Sequence, residues 1–380
     1  MKGLAATCAL LSLSLCNGAW GNGEQSAAGG LPASLRVHSC CVYTSPELES
    51  ALYEAAEAGQ RETVLLLLEK GAPLSTGISG AACGGHRDIV NLLLEKGACP
   101  NDGLAGALMG EHADIAEQML ELGADPTEPL WRAAFHDKLD MMRLLLEHGA
   151  NPDIAIMEAA SYMQMDMVKL LLERGADPTH GLSKAALRGN TDMVKLLLEH
   201  GADPESGIEE AVREVHADVV AMLHKAGAPL DRKKLLPMAV QGGDATIVKT
   251  LLEHGTGHVK VLALAVEHGR TAVVKLLLEH GEVPGGYELR SAAQYGYADI
   301  LKLLLPLTRS EINTANWQGW TPLRLALKRG DCECVRLLLE YGADANETGS
   351  QGRSLLDYAL QLGHEECASL LRDATGKHGK

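Results

Sequence analysis

Fifteen histidines, nine cysteines and fifty carboxylates give this chain ample material for metal or proton chemistry, so their spacing has to decide. A zinc site needs three or four ligands that converge, usually two of them at close helical spacing. No two histidines form such a pair with a third ligand nearby. Instead they fall into two recurring slots. His148, His200, His254 and His280 each precede a glycine, where a polar or cationic group suits the end of a helix. His86, His112, His216 and His364 stand at the start of a following helix. Cys332-Glu333-Cys334 resembles half a metal knuckle, yet Cys334 and Cys367 occupy the position held elsewhere by Ile89 or Met193, so small buried hydrophobes are expected. The glycine pairs Gly84-Gly85 and Gly242-Gly243 follow no strand, and no Gly-Lys-Ser/Thr accompanies them, so they read as helix breaks rather than phosphate loops. There is no Gly-x-Ser-x-Gly and no cysteine with a matched basic histidine. The expectation is a chain with no catalytic residue, no cofactor and no metal. An enzyme with a site in a groove remains the alternative.

The elements that position these slots repeat. Glycines at 71, 97, 123, 149, 175, 201 and 227 follow one another at 26 residues, and Gly255 and Gly281 continue the series after one slip of two. A period in this range means a solenoid. In the unit Thr179–Asp203, Leu182, Ala185 and Ala186 share one face of a first helix, and Gly189 breaks it. Asp192 lies at the start of a second helix, where the dipole favours a carboxylate; its apolar face is Met193, Val194, Leu197 and Leu198. Gly201 stands where a left-handed cap is wanted, and Asp203-Pro204 makes a turn. The position of Gly189 is glycine in most repeats but Glu111, Asp137, Met163 and Val215 in four of them. Twelve such helix pairs fit between about residues 48 and 374, giving an all-α solenoid in which each pair buries its faces against its neighbours.

The sequence is similar to the ankyrin-repeat family. The likeness is plainest from Ile312-Asn313 through Gly319-Trp320-Thr321-Pro322-Leu323 and on to Leu337-Leu338-Leu339-Glu340-Tyr341-Gly342-Ala343-Asp344-Ala345-Asn346, where glycines 319 and 352, and 330 and 363, are 33 apart. The 26-residue repeats lack the seven residues that form the family's projecting finger, so the resemblance implies bare helix pairs, with fingers only around Thr314 to Pro322 and Glu347 to Ser354. It also implies a non-catalytic scaffold that binds another protein through the concave, inner-helix surface. The alternative within binding functions is a dedicated inhibitor or immunity protein that blocks an enzyme.

Aromatic residues make up only 3% of the chain, so their positions carry information. The two residues before each mid-repeat glycine lie off the buried Leu/Ala/Ala face, and at those places stand Phe135-His136, Tyr162, Arg188 and Tyr295. Rings and arginine anchor interfaces, so Phe135, His136, Tyr162 and Arg188 are candidate partner-binding residues. Trp131, Met157, Met163 and Met165 cluster with them, either as further interface or as local repacking where the glycines are missing. Tyr295 and Trp320 belong to a second cluster, with Tyr287, Tyr297 and Trp317, at the junction with the finger-bearing repeats.

The formal net charge of -16 repels phosphate backbones, so no nucleic-acid partner is expected. Lys2 and the apolar run from Gly3 to Cys16, followed by small residues to Gly21, read as a cleaved signal peptide. A lipoprotein signal at Cys16 is disfavoured by Leu15, and an uncleaved, cytoplasmic chain is the alternative. The resulting organisation is 1–21 signal peptide, 22–44 flexible leader, 45–374 repeat solenoid and 375–380 tail, exported to a periplasmic or secreted location. It is expected to be a monomer without stable membrane insertion. Cys8 and Cys16 precede Gly21, which leaves seven cysteines of nine; an odd set, with Cys40-Cys41 free to cross-link a partner, gives no expectation of a disulfide framework.

Overall fold

The computed structural model describes residues 46–348 and 352–377, and Pro46–Lys380 cluster as one unit. The expected signal peptide, the leader and Cys40-Cys41 lie outside the described residues. Within them the chain runs as twelve antiparallel helix pairs, from Pro46–Glu57 with Arg61–Glu69 to Leu355–Gln361 with Glu365–Lys377. The first helix of each pair packs on the first helices of its neighbours, and the second on the seconds, so two layers share one continuous core.

Repeat six shows why the sequence folds this way. In Thr179–Leu187 the buried residues are Gly181, Leu182, Ala185 and Ala186, and in Thr191–Glu199 they are Met193, Val194 and Leu197. Asn190 caps the second helix by accepting from the Met193 N–H at 3.0 Å, with Asp192 in the first turn. Gly201 ends it at φ +89°, a conformation that only glycine adopts without penalty, and its N–H donates to Leu198 O at 3.0 Å. Asp203 Oδ1 then accepts from the Glu205 N–H, which turns the chain into the next repeat.

Where fingers are absent, the tight loops are stitched across repeats instead. The Asp125 N–H donates to Asn101 Oδ1 at 2.8 Å, and the Asp177 N–H to Asp153 Oδ1 at 2.7 Å. In the finger region Asn316 Oδ1 accepts from Gln318 N and Trp320 N, which closes the turn. The isolated bridges among the described residues are Thr348 with Ser354, in the last finger, and Asp231 with Thr256.

Two expectations are corrected. Gly255 does not act as a left-handed cap: its φ is -73°, and Gly257 takes the positive φ. The cause is Arg232, whose guanidinium takes the carbonyls of Leu251 and Leu252 and draws the chain into the bridge with Asp231. The reading of Cys367 as a small buried hydrophobe is also corrected, although no framework of several bridges is present among the described residues. Cys332 and Cys367 are bonded, with Cα atoms 5.0 Å apart. Cys332 is the first residue of Cys332–Glu340, and Cys367 begins the buried face of the facing helix Glu365–Lys377, so the slot assigned to a small hydrophobe carries a cross-link. An odd count excludes complete pairing but not a single bridge.

Candidate protein-binding face

The mid-repeat turns set the face of the inner helices. All carry positive φ, including the four without glycine: Glu111, Asp137, Met163 and Val215 lie at φ 57–65°. The first residue after the next repeat's turn explains which turn can spare the glycine. His86, His112 and His216 send Nε2 to the carbonyls of Glu57, Cys83 and Leu187 in the preceding repeat, at 2.9, 3.1 and 3.1 Å, with the ring N–H donating. Each ring thereby lies over the preceding turn, so a Cβ at Gly85 would fall 2.5 Å from His112 Cε1. Rings or arginine also cover Gly243, Gly269 and Gly330, through Arg270, Tyr297 and His364. At the four turns without glycine, the residue in this covering position, one repeat further on, is Lys138, Gln164, Asn190 and Asp244. Asn190 and Asp244 cap their own helices, Lys138 pairs with Glu111, and Gln164 reaches Ala134 O with a slim amide. The histidines at this slot are therefore inter-repeat links, a role hidden in the sequence.

Along the inner helices one register changes character sharply. In repeats two and three, Gly80, Gly84, Gly106 and Gly110 let the helices meet backbone to backbone. A Cβ at Gly80 would lie 2.6 Å from Tyr53 O, and one at the other three closer still to Glu57, Ser79 and Cys83 O. In repeats four to six the same positions hold Arg132, His136, Glu158, Tyr162, Lys184 and Arg188. The inner helices of repeats three and four touch little, in contrast to the close pairs before them.

Phe135 and Tyr162 meet edge to face across neighbouring repeats, with centroids 5.3 Å apart, and His136 meets Phe135 at 5.0 Å. Trp131 meets Phe135 at 6.5 Å and carries the Arg132 guanidinium over its ring. Phe135 and Tyr162 are each 46% exposed, and Met109, Met157 and Met163 beside them are exposed as well. Arg188 is exposed one repeat further on. Tyr295 is exposed and stacks on Tyr297, but Trp320 is half-buried under Lys328, Arg324 and Tyr358. Trp317 is 90% exposed at the finger tip. The structure thus brings Phe135, His136 and Tyr162 together, and places Tyr295 against Tyr297 and Trp320 against Tyr358, apart from that group.

The remaining chemistry is spoken for locally. Burial, with the charges of Asp331 and Glu333, pushes the Cys334 thiol up to about 12, and burial raises Cys83. The Lys138 ammonium holds Glu111 below the usual carboxylate range, and desolvation raises Glu347, which accepts from Thr321 Oγ1 at 2.8 Å. Among the described residues no three His, Cys, Asp or Glu side chains are grouped to hold a metal, and no helix is long and apolar enough to cross a membrane.

Comparison with known proteins agrees with this architecture. The family described as ankyrin repeats (3 copies) matches residues 104–181, 156–234 and 289–378, and the single ankyrin repeat matches 80–103. The chain is 39% identical over 92 residues to the putative ankyrin repeat protein YahD of Escherichia coli, covering 23% of this chain and 46% of that one. It is 38% identical over 93 residues to human ankyrin repeat and SOCS box protein 11, covering 24% and 28%. The matches thus span less than half the length of these relatives. Among solved structures, the human ASB11 ankyrin repeat domain aligns at 25% identity with a TM-score of 0.41, over 50% of this chain and 96% of that one. The chain belongs to the ankyrin-repeat family.

Proposed function

We propose that this protein is a non-catalytic scaffold whose inner-helix face holds another protein, with Phe135, His136, Tyr162 and Arg188 as the anchor. One observation carries the reading: Phe135 and Tyr162 pack on each other yet leave nearly half of each ring in water. A ring needed only for the core would be covered, and rings with arginine are the usual interface hot spots. Neighbouring helices lie about 8–10 Å apart, so the stripe from Phe135 to Arg188 spans roughly 20–30 Å, the scale of a standard interface. Ankyrin-repeat proteins bind other proteins, and one relative is by name a regulatory subunit, of protein phosphatase 1. The test is Phe135→Ala with Tyr162→Ala, with partner affinity and melting temperature measured together. The expected result is a loss of about 2 kcal/mol or more in binding with little change in melting. A variant that melts early and binds normally per folded molecule would make the rings core filling.

We also infer export. The motivation is the apolar run from Gly3 to Cys16 together with the Cys332–Cys367 bond, since disulfides persist in oxidising compartments. Intact mass of native protein, without reduction, should fit a chain that begins near Asn22 and holds this bridge. Native protein that retains Met1 would overturn the processing.

A further inference from the structure

The inner-helix face changes sign along its length. In repeat seven it presents Glu209, Glu210 and Glu214 on Glu205–Arg213 and the turn after it, the first two paired with Lys234 and Arg213. In repeats ten and eleven it presents rings and cations. On Pro322–Arg329, Arg324 and Lys328 lie one turn apart with Trp320 one turn before them. Lys328 Nζ sits over the Trp320 ring at 4.9 Å, and Arg324 lies 5.6 Å from the same ring. Arg329 folds back over the turn at Gly296, next to the exposed Tyr295. Carboxylates in this region are engaged: Glu347 with Thr321 and Arg324, Asp331 as cap for the Cys334 N–H, and Asp357 with Ser354. Lys328 and Arg329 are exposed and make no ion pair among the described residues, although Asp331 Oδ2 shares the space over Gly296 with Arg329 Nε.

Two exposed cations without an ion pair among the described residues make a local basic spot beside Tyr295 on a chain of net charge -16. We propose that the inner-helix face of repeats ten and eleven is a docking site for an acidic polypeptide segment, with carboxylates on Lys328 and Arg329 and an apolar side chain against Tyr295. It rests on the inner-helix reading above and adds a second subsite, four repeats and roughly 30–40 Å from Arg188 at 8–10 Å per repeat. A peptide suits the patch better than nucleic acid. Its few carboxylates can be placed on the few cations, whereas a nucleic acid carries a phosphate at every nucleotide and meets a chain of net charge -16.

The probe is a short synthetic peptide of glutamates around one central leucine, titrated calorimetrically into the full chain. It should bind, and more weakly as sodium chloride is raised. Lys328→Glu with Arg329→Glu, shown folded by circular dichroism, should weaken it about tenfold, the sum of several exposed charge pairs of a few tenths of a kcal/mol each. Phe135→Ala with Tyr162→Ala should leave peptide affinity unchanged. The proposal is overturned if the folded charge-reversed variant binds as tightly as the native chain, if the native chain does not bind the peptide, or if an oligothymidylate of equal charge binds more tightly. None of these outcomes touches the stripe in repeats four to six, which is tested separately with its own partner.

Discussion

Repeats two and three and repeats four to six use one register for opposite ends. Gly80, Gly84, Gly106 and Gly110 bring backbone against backbone, so this register carries no side chain there. One, two and three periods on from Gly106 and Gly110, the same positions hold Arg132, His136, Glu158, Tyr162, Lys184 and Arg188. Helices that close up cannot display side chains between them, and helices that display side chains cannot close up. The loose contact between the inner helices of repeats three and four is where one solution gives way to the other.

The difference can be broken at the seam. Gly106→Ala with Gly110→Ala pushes two methyl groups into carbonyl oxygens of the neighbouring helix, at about 1–3 kcal/mol each by overpacking. That exceeds the roughly 1 kcal/mol per site that alanine gains in helix propensity. Urea unfolding should record a net loss, and hydrogen exchange should place it in repeats two and three. Glu158→Ala at the matching register should stay within about 0.5 kcal/mol; an equal loss there would erase the distinction. A smaller effect sharpens the same point at the turns. Gly85→Ala should cost about 1–3 kcal/mol, partly from the left-handed backbone and partly from the His112 ring. In a double-mutant cycle His112→Asn should return the steric share, because Met163 and Val215 are tolerated at turns where the next repeat offers the smaller Asn190 and Asp244 in place of a ring. An additive cycle would show that the ring does not select the glycine.

Most of the fold was legible because each repeat states it again. The 26-residue glycine spacing placed the helix pairs, and the non-glycine turns at Glu111, Asp137, Met163 and Val215 fell where positive φ is found. Cross-repeat chemistry was not legible. His86 and His112 read as helix starters because their acceptors, the Glu57 and Cys83 carbonyls, lie 29 residues back. The Cys332–Cys367 bond was hidden for the same reason: pairing depends on which helix ends face each other, not on a count. Of the candidate residues, Phe135, His136 and Tyr162 could be grouped because equal register on adjacent inner helices means proximity. Trp320 could not be placed, since its covering by Lys328 depends on how the finger folds onto the helix.

The Cys332–Cys367 bond also gives the array a direction under load. Pulled by its two ends, a row of repeats lengthens as each pair peels away, but the 35-residue span between these cysteines cannot be drawn out. About 120 Å of extended chain, at roughly 3.4 Å per residue, stays locked until the sulfurs part. No other bridge ties down the described repeats, so each of them can peel away under load while the span from Cys332 to Cys367 stays clipped.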